Sequence, residues 1–174
     1  MPLVRAATRD DAGDLARIHV ETWHAAYPGI VPDSLLATMT LDTAVERWRT
    51  ALPLLSPNHC LVAVEAGEDA AGDVTGFVRC GPSRDEGAAG TTGEVFSLYV
   101  HPASWAGGHG RSLLDAATGL LAGEGFTDAT LWVLAANDRA QRFYRRCGWH
   151  PDGRTKRHHR DGAVLVEAGY RRQL

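Results

Sequence analysis

The run WAGGHGRSLL from Trp105 to Leu114 places three glycines, Gly107, Gly108 and Gly110, within four positions. Glycine lacks the Cβ that keeps a backbone away from a ligand, and a turn built this way aims successive N–H groups outward at the positive end of a helix. Such a turn can bind pyrophosphate, although read alone it is more simply a tight strand-to-helix connection. No Lys-Ser or Lys-Thr pair follows the glycines, so this is not a Walker A loop, and the GxGxxG spacing of dinucleotide sites is missing. A phosphate-bearing ligand of another kind is what the chemistry leaves. A second run, NDRAQRFYRRCGW from Asn137 to Trp149, offers Asn137 as a helix cap. Ala140, Phe143 and Cys147 share one inward face, with Tyr144 at its edge where a phenol can reach a cleft. Taken alone, that run is a packed helix.

These residues need elements to position them. Leu3, Val4 and Ala6 read as a short strand, and Thr8 with Asp10 and Asp11 suits a helix N-terminus. Leu15, Ile18, His19, Thr22 and Trp23 then form one helical stripe until Pro28 and Gly29 end it. Pro32 and Asp33 open a second short helix, and residues 41–52 read as a third, with Ala44, Val45, Trp48 and Leu52 on one side. The runs 60–66 and 74–80 suit a hairpin across a turn-rich connection. Residues 81–93 carry four glycines, a proline and no apolar period, the pattern of a mobile loop. Strand 94–101, a helix over 107–122 and strand 129–134 make a β-loop-α-β unit, which favours a parallel or mixed sheet covered by helices. A helix from Asn137 to Arg146 ends at Gly148, and two last strands are expected around 149–155 and 164–170.

With 174 residues, 44% of them hydrophobic and 22% charged, the chain is expected to form one domain over 1–174. A net charge of −3 without a long basic run argues against nucleic acid as a partner. The first twenty residues lack the apolar stretch of a signal peptide, and no segment has the composition of a membrane span, so a cytoplasmic protein with no membrane partner is expected. Cys60, Cys80 and Cys147 are odd in number and form no CxxC pair, which indicates neither a disulfide framework nor a thiolate metal site.

Together the two runs resemble the motifs of the GNAT superfamily of acyl-coenzyme A dependent N-acetyltransferases. EVFSLYVHPASWAGGHGRSLL is similar to that family's strand, Q/R-x-x-G-x-G/A turn and helix, with Trp105 where Gln or Arg is usual. NDRAQRFYRRCGW is similar to its second motif, and RAATRDDAGDLARIHVETWHAAYPGIVPD to the opening of many bacterial members. The resemblance implies an α/β GNAT fold: a twisted mixed sheet of six or seven strands with helices on both faces and a cleft where two central strands diverge. It implies acetyl transfer from acetyl-coenzyme A, as cosubstrate and with no metal, to a primary amine of a small molecule or peptide by direct attack. The chain would act alone or as a homodimer. A non-catalytic acyl-coenzyme A sensor or interaction module is the rival reading.

Carried onto positions, the resemblance implies that Val100 pairs through its N–H and C=O with the pantetheine arm, and that Leu98 offers its N–H to the thioester oxygen. Gly107, Gly108, His109, Gly110, Arg111 and Ser112 would surround the pyrophosphate, and Asn137 would help position the pantetheine. Tyr144 falls on the family's tyrosine that protonates the departing thiolate. Glu94, four residues before Leu98 and read as sharing its strand face, is a candidate general base, because an ammonium must lose a proton before it can attack. Trp23 and Tyr27, with His24, end the first helix, which in this superfamily borders the acceptor pocket. His158 and His159 read as part of a solvated hairpin tip without a third metal ligand.

Overall fold

Short β-branched and aromatic runs supply the strands β1 (Leu3–Ala6), β2 (His59–Glu65), β3 (Asp73–Pro82), β4 (Thr92–Val100) and β5 (Asp128–Leu134). Two longer strands, β6 (His150–Arg160) and β7 (Ala163–Gln173), close the chain. The computed structural model describes residues 2–65, 72–160 and 162–174, so the turn expected between β2 and β3 lies outside the described residues. The strands form one seven-stranded sheet in the order β1-β2-β3-β4-β5-β7-β6. Neighbours are antiparallel except β4 and β5, which run parallel.

Helices cover both faces: α1 (Ala12–Ala26), α2 (Asp33–Ala37) and α3 (Leu41–Ala51) precede the hairpin, α4 (His109–Gly123) links β4 to β5, and α5 (Asp138–Arg146) follows β5. On one face Leu113, Leu114, Ala117 and Leu121 of α4 pack with Val78, Val95 and Leu131, joined by Tyr144 and Trp149. On the other, Leu15 and Ile18 of α1 and Ala44 and Trp48 of α3 cover Val62, Val64 and Phe77. Leu15 and Ile18 are wholly buried, and each contributes about 1.5–3 kcal/mol from apolar burial. A third cluster joins Trp23, Val31, Leu35, Leu36 and Met39 to Leu134 of β5 and Leu165 of β7. Among the described residues no helix is long and apolar enough to cross a membrane.

Three local departures from the sequence reading matter. Thr8 caps a single 3-10 turn, Arg9–Asp11, before α1 begins. Asp11 fixes that turn by accepting from the Thr8 N–H at 2.6 Å and from the Arg5 guanidinium at 2.8 Å. The segment read as a mobile loop, 81–93, is shortened by strand extension at both ends and pinned by Asp85. Its carboxylate accepts from the Trp132 indole at 3.0 Å and from Arg154 at 2.7 Å, and it pairs with Lys156. Burial works against a charge on Asp85, but hydrogen bonds from Lys156, Arg154 and Trp132 prevail and hold its carboxyl below the usual range. The last hairpin is also longer than expected, pairing out to Arg160 and Ala163, because the charged run at 156–160 hides a strand that the pairing itself stabilises.

Candidate active site

The central feature is where β4 and β5 part. They pair only from Thr92 with Asp128 to Val95 with Leu131, after which β5 continues beside β7 alone, to Leu134 opposite Glu167. The partner ladder, β3 to β4, slips one residue between Arg79 and Cys80, so that Ser97 and Val95 face consecutive β3 residues and Phe96 is the extra one. A bulge bends its strand and flips the alternation of side chains beyond it. Val95 and Leu98, three residues apart, accordingly pack into the same cluster.

Beyond the bulge the alternation decides which backbone groups are free to act. The His101 N–H donates to the Thr75 carbonyl at 2.8 Å, and Val100 is registered with Gly76 and Leu98 with Val78. In an antiparallel ladder bonded and non-bonded pairs alternate. Leu98 and Val100 therefore direct their N–H and C=O groups away from β3, into the gap that β5 has left. The Val100 carbonyl is already engaged: it accepts from the Trp105 indole N–H at 2.7 Å and from the Thr22 hydroxyl at 3.1 Å. Trp105 thus uses its ring nitrogen to tie the turn to the end of β4, and the Arg139 guanidinium stacks on its ring at 3.5 Å.

The glycine turn begins with Ala106 and Gly108, both in the left-handed region at φ 66° and 85°. A Cβ added at Gly108 would meet nothing within 4 Å, so the backbone here is open to an approaching ligand. The first amides of a helix have no intrahelical acceptor. In α4, Ser112 is the first to turn back, donating to the Gly108 carbonyl at 3.0 Å, while the Gly107 amide donates to Ser104. The amides of Gly108 to Arg111 are thereby gathered at the helix's positive end. His109 is buried beneath the turn, its Nδ1 2.7 Å from the Thr75 hydroxyl, which itself donates to the Ala63 carbonyl. That chain makes Nδ1 the protonated nitrogen and makes His109 an anchor of the turn. Gly110 faces inward, and a Cβ added there would lie 3.3 Å from the Phe143 ring.

A cleft of about 990 Å³ runs along this gap and is lined by Leu98, Val100, Gly108, His109, Gly110 and Arg111. Asn137, Tyr144, Trp23 and Tyr27 line it too, whereas Gly107, Ser112 and Glu94 lie outside that lining. Asn137 caps α5, its Oδ1 accepting from the Ala140 N–H at 3.0 Å. Tyr144 sits deeper than the face edge expected of it, in the core beside Trp149 and Tyr170. Burial, reinforced by Tyr99, pushes its phenol well up. Burial also raises the Tyr27 phenol, with Tyr99 and Tyr144 adding to it, and the Trp23 indole donates to the Tyr99 hydroxyl at 3.1 Å.

Glu94 is where the sequence reading of geometry fails. The bulge at Phe96 breaks the parity that was to place it on the face of Leu98. Its carboxylate is buried, accepting from the Arg84 N–H at 2.8 Å and pairing with the Arg84 guanidinium at 3.1 Å. His158 and His159 also differ from the expected solvated tip: both belong to β6 and line the cleft. Glu167, which in sequence lies inside an ordinary strand pattern, lines it with them.

The comparisons with known proteins agree with this geometry. The sequence profile of the Acetyltransferase (GNAT) family matches residues 18–149. An uncharacterized N-acetyltransferase, YuaI of Bacillus subtilis, is 30% identical over 137 residues, covering 79% of this chain and 74% of its own. The chain therefore belongs to the GNAT family, the acetyl-coenzyme A dependent N-acetyltransferases. Similar folds are seen in the PaiA N-acetyltransferase of Thermoplasma acidophilum, in complex with coenzyme A, at TM-score 0.71, 17% identity and coverage of 100% and 99% of the two chains. The YncA protein of Salmonella typhimurium, solved with acetyl-coenzyme A, gives TM-score 0.70 at 23% identity, with 99% and 94% covered.

Proposed function

We propose that this protein transfers an acetyl group from acetyl-coenzyme A to a primary amine of a small molecule or peptide by direct attack. The observation that carries the reading is the parted β4–β5 seam, where Leu98 and Val100 present backbone groups to the same cleft as the Gly108 turn and Tyr144. An extended pantetheine arm would take the place of the missing strand, bonding to Leu98 and to the Val100 N–H, since the Val100 carbonyl is occupied by Trp105 and Thr22. The amides of Gly108 to Arg111 would hold the pyrophosphate, and Asn137 would flank the arm. The Leu98 N–H would polarise the thioester carbonyl, stabilising the oxyanion as the amine attacks.

The ammonium gives one proton to solvent before it attacks; as the carbon–sulfur bond breaks, Tyr144 donates its proton to the thiolate and regains one from the nitrogen of the new amide. The raised phenol keeps that proton across the neutral range, and burial beside the cleft keeps water from competing for the role. Cys147 is buried, and its thiol is pushed up by that burial, which makes it a poor nucleophile and favours direct attack. The test joins two measurements. Acetyl-coenzyme A should raise the melting temperature of the folded protein, and a panel of amines should release free thiol in its presence. No melting shift at saturating ligand would remove the reading.

A further inference from the structure

The end of the cleft away from the glycine turn has its own chemistry. Its walls are Trp23 of α1, Tyr27 at the C-cap of that helix, and Trp132, Leu165, Glu167 and His158 from the last three strands. Of the described residues lining the whole cleft, the carboxylates are Asp138, next to the α5 cap, and Glu167. Leu134, Glu167 and Lys156 stand directly opposite one another across β5, β7 and β6. A lysine in that register ordinarily neutralises its cross-strand glutamate.

Here it does not. The Lys156 ammonium pairs with Asp85 and lies 4.0 Å from the Trp132 ring centre, and Arg154 is drawn to the same carboxylate at 2.7 Å. Asp85 lies outside the cleft lining, in the connection between β3 and β4, and it takes both cations into ion pairs of its own, so that neither is paired with Glu167. Among the described residues the side-chain partner left to Glu167 is His158, with Nε2 2.7 Å from Oε2. The Glu167 side chain is 24% exposed and His158 53%. Glu167 thus lies half-buried among aromatic groups, close enough to Tyr27 to add to the rise of its phenol, behind burial and its two neighbouring tyrosines.

We propose that Glu167, oriented by His158, is the acceptor-recognition residue, and that it selects cationic primary amines with an apolar body and no carboxylate beside the nitrogen. The inference rests on the acetyl-transfer reading and names its acceptor class. An ammonium entering this end meets a carboxylate whose cross-strand lysine is paired with Asp85, while Trp23 and Tyr27 offer apolar surface to the rest of the molecule. An acceptor with a carboxylate beside its amine would bring a second negative charge against Glu167.

The experiment compares aliphatic and arylalkyl primary amines with their α-carboxylated counterparts, following free thiol release at saturating acetyl-coenzyme A. Wild type should prefer the simple amines, and Glu167→Gln should raise their KM about tenfold or more, leaving the acetyl-coenzyme A melting shift unchanged. Asp85→Asn should raise the amine KM in the same direction by releasing Lys156 toward Glu167, and adding Lys156→Met should restore it, a rescue that a purely structural role of Asp85 would not give. An unchanged amine KM in Glu167→Gln, a preference for carboxylated acceptors, or no turnover of any amine by protein that binds acetyl-coenzyme A would each overturn the proposal. Absence of acetyl-coenzyme A binding to wild type is read separately, in the melting shift, and would take down the transfer reading and this one with it.

Discussion

Single side chains divide the work of the cleft between position and chemistry. Tyr144→Phe removes one hydroxyl from a ring already fixed by the core, so it should leave the acetyl-coenzyme A melting shift nearly intact and lower turnover by about 10–1000-fold; equal thiol release from the variant would make water the proton donor. Gly108 and Gly110 should fail differently, although both belong to one motif. Gly108→Val forces a branched residue into the left-handed region, which costs about 1–2 kcal/mol, and projects carbon into the open space over the gathered amides. It should fold less stably and lose the melting shift. Gly110→Val instead presses on Phe143 and should show mainly as a lowered melting temperature without ligand, with overpacking of about 1–3 kcal/mol. The motif residues were legible because glycine spacing and the N-x-x-A-x-x-F-Y pattern survive in the sequence as written. Glu94 misled because face was counted by alternation, and a bulge leaves no mark in residue types. Glu167 was hidden for the opposite reason: VLVEAGY reads as a plain strand, and only the pairing of three strands shows which cation it lacks.

At the scale of elements, the legible parts were those whose periodicity stands alone: α1, α3, α4, α5 and the buried strands. What stayed hidden was decided by partners. The charged run of β6 becomes a strand because β7 offers it a ladder, and residues 81–93 are held because Asp85 finds three donors on β5 and β6. The 3-10 turn ahead of α1 carries a prediction of its own. The Arg5 hydrogen bond, working against burial and aided by the Thr8 amide, lowers the Asp11 carboxyl. A depressed carboxyl stabilises the fold above its ordinary value of about 3.8 and loses that contribution as pH falls through the folded value. Melting temperature should therefore decline below about pH 4, and Asp11→Ala should flatten that decline and cost about 0.5–2 kcal/mol at neutral pH as a lost helix cap. A variant as stable as wild type at pH 7 would show that the turn holds without its carboxylate.

For the molecule as a whole, the core sets an alkaline limit. Burial pushes the Cys60 and Cys80 thiols up to about 12, from an ordinary 9.0. A raised acid stabilises the fold fully below its unfolded value and loses that contribution as pH rises through the folded one, so stability should fall between pH 9 and 12, measurable as a declining melting temperature. Native protein should also resist thiol-modifying reagents that label the unfolded chain at once. The parted seam has a consequence of another kind. Only four residue pairs lace β4 to β5 among the described residues, so the sheet consists of two leaves, β1 to β4 and β5 to β6, joined at one end like a half-closed zip. Amides in the laced part and in the β3–β4 ladder exchange with deuterium slowly, because the leaf must open to release them. The amides of Leu98 and Val100 face the unlaced part. Without ligand they should exchange orders of magnitude faster than those of Tyr99 and His101 beside them, a two-residue alternation along a single strand. Acetyl-coenzyme A should erase that alternation, so that binding is read as two protons ceasing to leave.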